Sequence, residues 1–234
     1  MLKNLDFISE GELTNWVNSH LDSDEFALSA GYQGKTLLFN EHQHKLVIKA
    51  PLGNFITRPI NLALLRHEHK VYQKLQGMTS IPICYGMANN EFLVIEFIEG
   101  QTIRQKRPPT NSEYFKKLLI AVKEMHQRKV AHFDLKRSEN LLVTDNDEPK
   151  IIDFGVSIIR KPGLHWFNQY LYKLAMQFDY NAWARHKYYK QMDFLSDEDK
   201  PYYQKTKIEI ASKKIKRFYK DRFLKLFQSL KSFK

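Results

Sequence analysis

The segment that decides the fold is His132-Phe-Asp-Leu-Lys-Arg-Ser-Glu-Asn140, and Asp153-Phe-Gly155 begins thirteen residues after its last residue. Two short apolar runs, Leu141–Val143 and Lys150–Ile152, lie between these motifs. The turn-forming sequence TDNDEP joins the runs, which predicts a β-hairpin. Because the motifs flank the hairpin, we expect their polar side chains to meet at one of its ends.

Three side chains of these motifs have the chemistry of a magnesium-phosphate site. Phosphoryl transfer requires a carboxylate that orients the attacking hydroxyl, and a carboxylate and an amide oxygen that hold Mg²⁺ on the phosphates. Asp134, Asp153 and Asn140 supply these groups. The order and hairpin spacing of the motifs argue against the alternative, an accidental H-x-D in a loop and an ordinary D-F-G turn.

The two motifs resemble those of the protein-kinase superfamily, with H-F-D-L-K…N similar to its catalytic loop and I-I-D-F-G similar to its metal-binding turn. The resemblance covers roughly residues 28–157. It implies ATP as phosphoryl donor, Mg²⁺ (or Mn²⁺) as cofactor, Asp134 as catalytic base and Lys136 as γ-phosphate contact. It also implies Asn140 and Asp153 as metal ligands.

The catalytic loop departs from the family pattern in its length. Asn140 lies six residues beyond Asp134, whereas the common kinase pattern has five. We expect the extra residue to bulge between Lys136 and Asn140, which makes Glu139 a rival metal ligand. Farther on, Asp179 resembles the helix aspartate that anchors the catalytic loop in kinases, with a helix cap as the alternative.

A lysine and a glutamate upstream complete the resemblance to a nucleotide site. Val47-Ile-Lys49-Ala50 is similar to the kinase V-A-I-K strand, whose lysine contacts the α- and β-phosphates. Glu68 lies nineteen residues after Lys49, in a predicted helix over Leu62–Leu75, at the separation of the glutamate that pairs with this lysine in kinases. The alternatives are an exposed lysine at a strand end and a solvated helix glutamate.

Two further segments are predicted to contact the nucleotide. Gly31 and Gly34 provide two of the three glycines of the kinase phosphate loop, with an ordinary hairpin turn as the alternative. A P-loop around Gly34-Lys-Thr36 is excluded because position 29 is serine and a strand-like run follows. The segment Glu96-Phe-Ile98-Glu-Gly100 resembles the linker that holds adenine in kinases, which implies Glu96 and Ile98 as nucleotide-binding residues.

The pattern of apolar residues predicts an α+β fold with two lobes, as in protein kinases. Strands over 36–40, 45–50 and 92–97 with one crossing helix form a small antiparallel N-lobe. A reduced, mainly helical C-lobe follows, with a helix capped at Asn111 or Ser112. We expect a single kinase-like domain over 1–234. Its predicted divisions are an N-lobe over about 1–99, a C-lobe over about 100–204 and a basic amphipathic helix over 205–234. The predicted helices after the N-lobe are Ser112–Gln127, about 164–184 and about 208–233.

Charge is concentrated at the end of the chain. Residues 205–234 hold eleven Lys/Arg against two acids, which is most of the net charge of +11. An apolar stripe at three- and four-residue steps suits either packing on the lobe or binding to an anionic membrane. We do not expect nucleic acid as partner, because no recognition motif accompanies the charge. The lone cysteine, Cys84, and an acidic N-terminus without an apolar run predict a cytoplasmic protein. The basic tail predicts a peripheral position on the inner face of the membrane.

The acceptor is left open between two alcohols. The chain lacks an A-P-E motif, and the stretch before Trp166 is too short for a long activation loop. It resembles both small bacterial serine/threonine kinases and the kinases of lipopolysaccharide-core sugars (heptose or Kdo). The resemblance implies ATP-dependent transfer of the γ-phosphate to Ser/Thr of a protein or to a sugar hydroxyl of a glycolipid. The alternative is a nucleotide-binding pseudokinase that acts as a scaffold at the membrane surface.

Overall fold

The computed structural model of the chain describes residue 2 and residues 5–31, 34–41 and 43–206. A five-stranded sheet forms the first lobe. Its strands are β1 (Ala27–Ala30), β2 (Gly34–Glu41), β3 (His44–Pro51), β4 (Cys84–Ala88) and β5 (Phe92–Glu96). All neighbours are antiparallel, in the spatial order β1-β2-β3-β5-β4.

Alternation along the central strands divides the side chains between two faces of this sheet. In β3, Leu46 and Ile48 are buried on one face, whereas Val47 packs with the core on the other. Period-two alternation therefore also turns Lys49 toward the second face. The strand thus presents Lys49, which directly follows its apolar residues Leu46, Val47 and Ile48, to the face on which the site forms.

A long helix, α2 (Thr57–Leu75), covers the second face with Leu65, Val71 and Leu75. This is the predicted crossing helix, which begins five residues earlier than expected. Glu68 lies on its buried side, 3% exposed. The helix therefore carries a carboxylate toward the face on which Lys49 lies.

A second helix that the sequence analysis did not predict, α1 (Glu10–His20), covers the first face of the sheet. Ser9 and Glu12 form a complete capping box, and Leu13, Trp16 and Val17 pack against the sheet. The signal was present in the sequence, since S-E-G-E followed by apolar residues at three- and four-residue steps is a helix N-terminus. The indole nitrogen of Trp16 also donates to Glu41 at 2.6 Å.

The second lobe is mainly helical. Its helices are α3 (Ile103–Lys106), α4 (Glu113–Gln127) and α5 (Trp166–Lys187). Its short strands are β6 (Gln101–Thr102), β7 (Val130–Ala131), β8 (Leu141–Val143), β9 (Pro149–Ile151) and β10 (Ile158–Ile159). β6 pairs with β8 and β8 with β9, whereas β10 pairs with β7.

The α+β two-lobe architecture and the reduced helical C-lobe are confirmed. The hairpin predicted between the two motifs is β8–β9, and α4 begins directly after Ser112. The predicted basic helix over 205–234 lies almost entirely outside the described residues, and the division of the chain near residue 99 stays a prediction. No helix in the described ranges combines the length and apolarity that a bilayer crossing requires.

Candidate active site

Three charged side chains from distant parts of the chain meet at the boundary of the two lobes. The ammonium nitrogen of Lys49, at the end of β3, lies 2.7 Å from Oε1 of Glu68 on α2. It also lies 3.0 Å from Oδ1 of Asp153, which directly follows the β8–β9 hairpin. The structure thus brings together the lysine, glutamate and aspartate that the sequence singled out.

The electrostatics of this cluster favour the charged forms of Lys49 and Asp153. Burial alone would lower the pKa of Lys49, but the carboxylates of Glu68 and Asp153 outweigh it and hold that pKa above its ordinary value. Burial would raise the pKa of Asp153, and the Lys49 ammonium, helped by His132, instead holds it below its ordinary value. At neutral pH the Lys49 ammonium therefore faces the ionised carboxylate of Asp153.

The Asp-Phe-Gly turn is held from both sides. Asp153 has a left-handed backbone, with φ +66°, and the N–H of Phe154 donates to Oε1 of Glu68 at 3.2 Å. The Phe154 ring is fully buried, with ring centroids 5.0 Å from Tyr72 and 4.9 Å from His132. Because the phenyl ring fills the core, the neighbouring carboxylate is turned toward the cleft, where the Asp153 side chain is 49% exposed.

A cleft of about 570 Å³ adjoins this cluster. The β1–β2 turn forms one wall with Gly31 and Gly34, and Lys49, Glu68 and Asp153 line the other side. The glycine at position 34 is required by the close approach of β3, because a Cβ there would lie 2.6 Å from the carbonyl oxygen of Ala50. Both predicted glycines therefore line the cleft, where the N–H of Gly31 donates to the carbonyl of Gly34 at 3.0 Å.

Lys35 confirms that no P-loop operates at this turn. Its side chain is buried, and its ammonium donates to the carbonyl oxygens of Leu21 at 3.0 Å and Ser23 at 2.7 Å. A third bond, at 2.9 Å, reaches the carboxylate of Asp24. The ammonium thus joins β2 to the segment after α1 and is not available to a ligand.

Asp134 lies beside the cleft in a loop that follows β7. Its carboxylate is paired with Nε of Arg137 at 3.0 Å, and Arg137 in turn lines the cleft. The ammonium of Lys136 lies 3.7 Å from Oδ1 of Asp134. The Lys136 side chain is 71% exposed and lines a second pocket, on the other side of the loop. Sequence reasoning missed Arg137.

The extra loop residue is accommodated as a short 3₁₀ turn over Ser138–Asn140, with Arg137 at its N-terminal cap. Asn140 is buried, and its Nδ2 donates to the backbone oxygen of Asp134 at 3.1 Å. Glu139 instead points to solvent and accepts a bond from the Ser138 hydroxyl at 3.0 Å. The geometry therefore favours Asn140 over the rival Glu139 as the inward-facing ligand.

Asp179 of α5 anchors the catalytic loop from below. It is fully buried, and its carboxylate accepts the backbone N–H groups of His132 at 2.8 Å and Phe133 at 2.7 Å. A third bond comes from Nε2 of His126 at 3.0 Å. Phe133 has a φ of +71°, an uncommon conformation that these bonds hold in place. The anchor interpretation is correct, and the alternative of a helix cap is wrong.

Two histidines add further anchors, of which His186 was missed in the sequence. The Nδ1 atom of His132 accepts the N–H of Asp134 at 3.3 Å, so its proton lies on Nε2, which donates to the carbonyl of Ile152 at 3.0 Å. On α5, Nε2 of His186 donates to the carbonyl of Leu135 at 2.8 Å. The catalytic loop is therefore tied to both the β8–β9 hairpin and α5.

The predicted linker between the lobes does not line the cleft. The carboxylate of Glu96 accepts the N–H of Ile83 at 2.9 Å, and the Glu96 N–H donates to the carbonyl of Ile83 at 2.8 Å. Ile98 follows in the irregular segment between β5 and β6. A glycine at position 100 lets this segment cross to β8, since a Cβ would lie 2.8 Å from the carbonyl oxygen of Val143.

The segment between the Asp-Phe-Gly turn and α5 is short, as the sequence predicts. It passes through β10 directly to Trp166, the first residue of α5. The backbone oxygen of Ser157 binds Nε2 of His67 on α2 at 2.8 Å, and the Ser157 side chain is buried. This segment is therefore fixed to both lobes.

The residues around the cleft fit a magnesium nucleotide. Asp153 offers a half-exposed carboxylate, Asn140 offers an amide oxygen that accepts no hydrogen bond from the described residues, and Lys49 offers a cation for phosphate oxygens. The described ranges contain no cluster of three or more His, Cys, Asp or Glu suited to a metal. One carboxylate, from Asp153, and one amide oxygen, from Asn140, suit Mg²⁺, which is usually bound by one or two carboxylates together with substrate phosphates.

Comparison with known proteins agrees with this geometry. A sequence model described as protein kinase domain matches residues 33–182. The SNF1-like protein kinase ssp2 of Schizosaccharomyces pombe is 34% identical over 128 residues, which cover 51% of this chain and 20% of that protein. The carbon catabolite-derepressing protein kinase of Saccharomyces cerevisiae is 32% identical over 122 residues, covering 51% and 18%.

A plant relative, the CBL-interacting serine/threonine-protein kinase 20 of Arabidopsis thaliana, is 29% identical over 137 residues, covering 55% of this chain and 29% of that protein. The matched region thus spans less than a third of the length of each of these relatives. The family model, in contrast, covers more than half of this chain, including both motifs and the Lys49–Glu68 pair. The chain belongs to the protein kinase domain family.

Proposed function

We propose that this chain transfers the γ-phosphoryl group of ATP to a serine or threonine hydroxyl of a protein. The observation that carries the proposal is the meeting of Lys49, Glu68 and Asp153 in a cleft beside the Asp134 loop. Phosphoryl transfer depends on positioning and electrostatic stabilisation, and these side chains supply both. The name of the plant relative, a serine/threonine-protein kinase, supports the acceptor.

Each residue has a role in the proposed reaction. Lys49 binds phosphate oxygens and is oriented by Glu68, while Gly31 and Gly34 let backbone N–H groups approach the phosphates. Asp153 and Asn140 hold Mg²⁺, which when bound neutralises charge on the phosphates. The assignment of Glu96 and Ile98 to adenine rests on the resemblance alone, because the linker does not line the cleft.

The oxygen of the acceptor hydroxyl bonds to the γ-phosphorus while Asp134 receives the proton of that hydroxyl. The bond from that phosphorus to the β–γ bridging oxygen breaks, and ADP leaves. Arg137 and Lys136, both next to Asp134, place two cations where negative charge develops on the transferred group. Arg137 pairs with the proposed base Asp134 and also lines the cleft, so its guanidinium can contact the transferred phosphoryl group.

Transfer of label to a serine/threonine peptide library tests the proposal. We expect the chain with Mg²⁺ and γ-labelled ATP to phosphorylate a subset of peptides, and Asp134→Asn to lower the rate at least about a hundredfold. Thr14→Val, on α1 and away from the cleft, serves as a matched control that keeps its activity. Equal labelling by the Asp134→Asn protein would contradict the proposal.

Neither a glycolipid sugar acceptor nor a pseudokinase scaffold gains support from the comparisons. The predicted binding of the basic tail to an anionic membrane, and with it a location on the inner face, concerns residues outside the described ranges and stays a proposal. Pelleting with anionic vesicles at two salt concentrations tests it. Equal recovery with neutral and anionic vesicles would end it.

A further inference from the structure

A second cavity, of about 410 Å³, lies on the far side of the catalytic loop from the nucleotide cleft. It is formed by α3, the catalytic loop and the end of α5. Its described lining contains no carboxylate and includes five cations, which are Arg104, Arg107, Lys136, Arg185 and Lys190. We call this cavity the basic pocket.

Three of the five cations of the basic pocket are poorly compensated. Arg104, Arg107 and Lys190 form no salt bridge with any residue in the described part of the chain. Lys136 lies 3.7 Å from the Asp134 carboxylate, and Arg104 is among the charges that hold the pKa of Glu139 low, after the hydrogen bonds of Glu139 itself. Several charges of one sign in a concave surface focus the field and favour an anion.

The pocket is also built from uncommon backbone conformations. Arg107, Tyr189 and Lys190 all have left-handed backbones, with φ of 49°, 49° and 67°. The Tyr189 hydroxyl donates to the carbonyl of Pro108 at 2.5 Å, and the Arg107 guanidinium lies 5.3 Å from the Tyr189 ring centroid. Arg107 is the C-terminal cap of α3, and Tyr189 and Lys190 directly follow the end of α5, so these conformations end two helices that the contacts of Tyr189 join.

The basic pocket lies next to the proposed base. Lys136 lines the pocket while its ammonium is 3.7 Å from Oδ1 of Asp134. His186, another lining residue, donates to the carbonyl of Leu135, the residue between them. An anionic group in the pocket would therefore belong to the acceptor molecule whose hydroxyl reaches Asp134. In a protein acceptor, it would be the side chain of a residue close in sequence to the acceptor serine or threonine.

We infer that the basic pocket selects acceptor segments that carry phosphorylated or clustered acidic residues near the serine or threonine. Arginine guanidinium groups bind phosphate and carboxylate in a bidentate manner, and a phosphorylated residue brings a charge of about −1.5 to −2. This inference rests on the proposed function and adds the chemistry of the acceptor. It does not depend on residues that bind ATP.

Matched peptides test the selection directly. One acceptor peptide is made in four versions, with alanine, aspartate, phosphoserine or lysine at the positions flanking the acceptor serine. We expect kcat/KM to be at least about tenfold higher for the phosphoserine and aspartate peptides than for the alanine peptide, and lowest for the lysine peptide. Equal values for the four peptides, or a preference for lysine, would overturn the inference.

The variant Arg104→Gln/Arg107→Asn removes two cations, and asparagine tolerates the left-handed backbone at position 107. We expect it to lose the preference for acidic peptides while its kcat/KM for the alanine peptide stays unchanged. Lys70→Gln/Lys74→Gln removes the same charge from exposed positions on α2 and serves as control. If both variants lose the preference equally, net charge rather than the pocket explains it, and the inference is wrong.

A binding measurement separates failure of this inference from failure of the proposed function. The peptides are labelled, their acceptor serine is replaced by alanine, and fluorescence anisotropy gives Kd with no phosphoryl transfer. We expect the phosphoserine peptide to bind more tightly than the alanine peptide, with a salt-dependent Kd that the Arg104/Arg107 variant weakens about tenfold. Preferential binding without turnover would support the basic pocket and contradict the proposed kinase reaction. Turnover without preferential binding or selection would support the kinase reaction and contradict the inference about the pocket.

Discussion

The Lys49 ammonium lies 3.0 Å from the Asp153 carboxylate, although 104 residues separate the two in the chain. The same ammonium is 2.7 Å from Glu68, so strand, helix and metal-binding turn are already joined. In kinases this ion pair and the aspartate must both be in place for transfer. The structure therefore already joins the three side chains that the proposed reaction requires together.

Activity is expected to be independent of phosphorylation of the segment after the Asp-Phe-Gly turn. Between Phe154 and Trp166 the sequence contains a single hydroxyl residue, Ser157, and its side chain is 4% exposed. Treatment of the purified chain with a broad phosphatase should leave kcat/KM for a peptide unchanged. A large loss after treatment, together with phosphate found in this segment by mass spectrometry, would show a switch that the structure does not predict.

Asp179→Asn is expected to lower both stability and activity. The Asp179 carboxylate accepts hydrogen bonds from His126 and from the backbone N–H groups of His132 and Phe133. In the variant, the asparagine NH₂ group would face one of these donors and leave it buried without an acceptor. We expect the free energy of unfolding to fall by about 3 kcal/mol, measured by urea denaturation. Asp197→Asn, an exposed aspartate paired with Lys200, is the control and should change it by no more than about 0.5 kcal/mol.

Arg137→Ala is expected to lower kcat without lowering stability. The guanidinium is 65% exposed and reaches both Asp134 and the cleft, so its removal takes a cation from the transferred group but opens no core cavity. We expect about a tenfold or larger loss in kcat and an unchanged urea midpoint. The exposed Arg66→Ala on α2 provides the comparison. Full activity in Arg137→Ala would remove this residue from the mechanism.

His186 is expected to make stability fall as the medium becomes mildly acidic. Burial, together with the nearby Lys190 cation, holds the pKa of His186 below its ordinary value of 6.5. The unfolded chain therefore takes up a proton at this histidine near pH 6.5, while the folded chain takes it up only at lower pH. The stabilising contribution is complete above about pH 6.5 and is lost as pH falls through the folded pKa.

Comparison with His186→Gln measures this contribution, because glutamine retains a donor for Leu135 and does not titrate. The difference in unfolding free energy between pH 7.5 and pH 5.5 should be smaller in the variant, by at most about 1.4 kcal/mol for each unit of pH below 6.5. An identical pH dependence of the two proteins would show that His186 is not the group responsible.

Most of the site could be predicted because its chemistry is local in the sequence. The motif around Asp134 and the turn at Asp153 flank one hairpin, so their meeting follows from short-range structure. The pairing of Lys49 with Glu68 needed a family spacing, since sequence alone gives no reason for these two to meet. Period-two alternation in β3 and the buried side of α2 provide that reason.

The missed features depend on tertiary packing or on a signal that was passed over. Arg137 and His186 gain their roles only through the 3₁₀ turn and the end of α5, which no local pattern reveals. The same holds for the basic pocket, whose cations come from three separate segments. The helix α1, by contrast, carried a readable capping box at Ser9 and Glu12. The linker residue Glu96 ends β5, as the sequence suggests, but its carboxylate accepts the N–H of Ile83.

Calorimetric titration of ATP into the wild-type chain and into Asp153→Asn, each with and without Mg²⁺, tests the central claim most directly. We expect wild type to bind ATP at least about tenfold more tightly with Mg²⁺ than without it, and the variant to lose this gain while it remains folded. Equal affinity for ATP with and without Mg²⁺ in wild type, or an Mg²⁺ effect that Asp153→Asn leaves intact, would contradict the account.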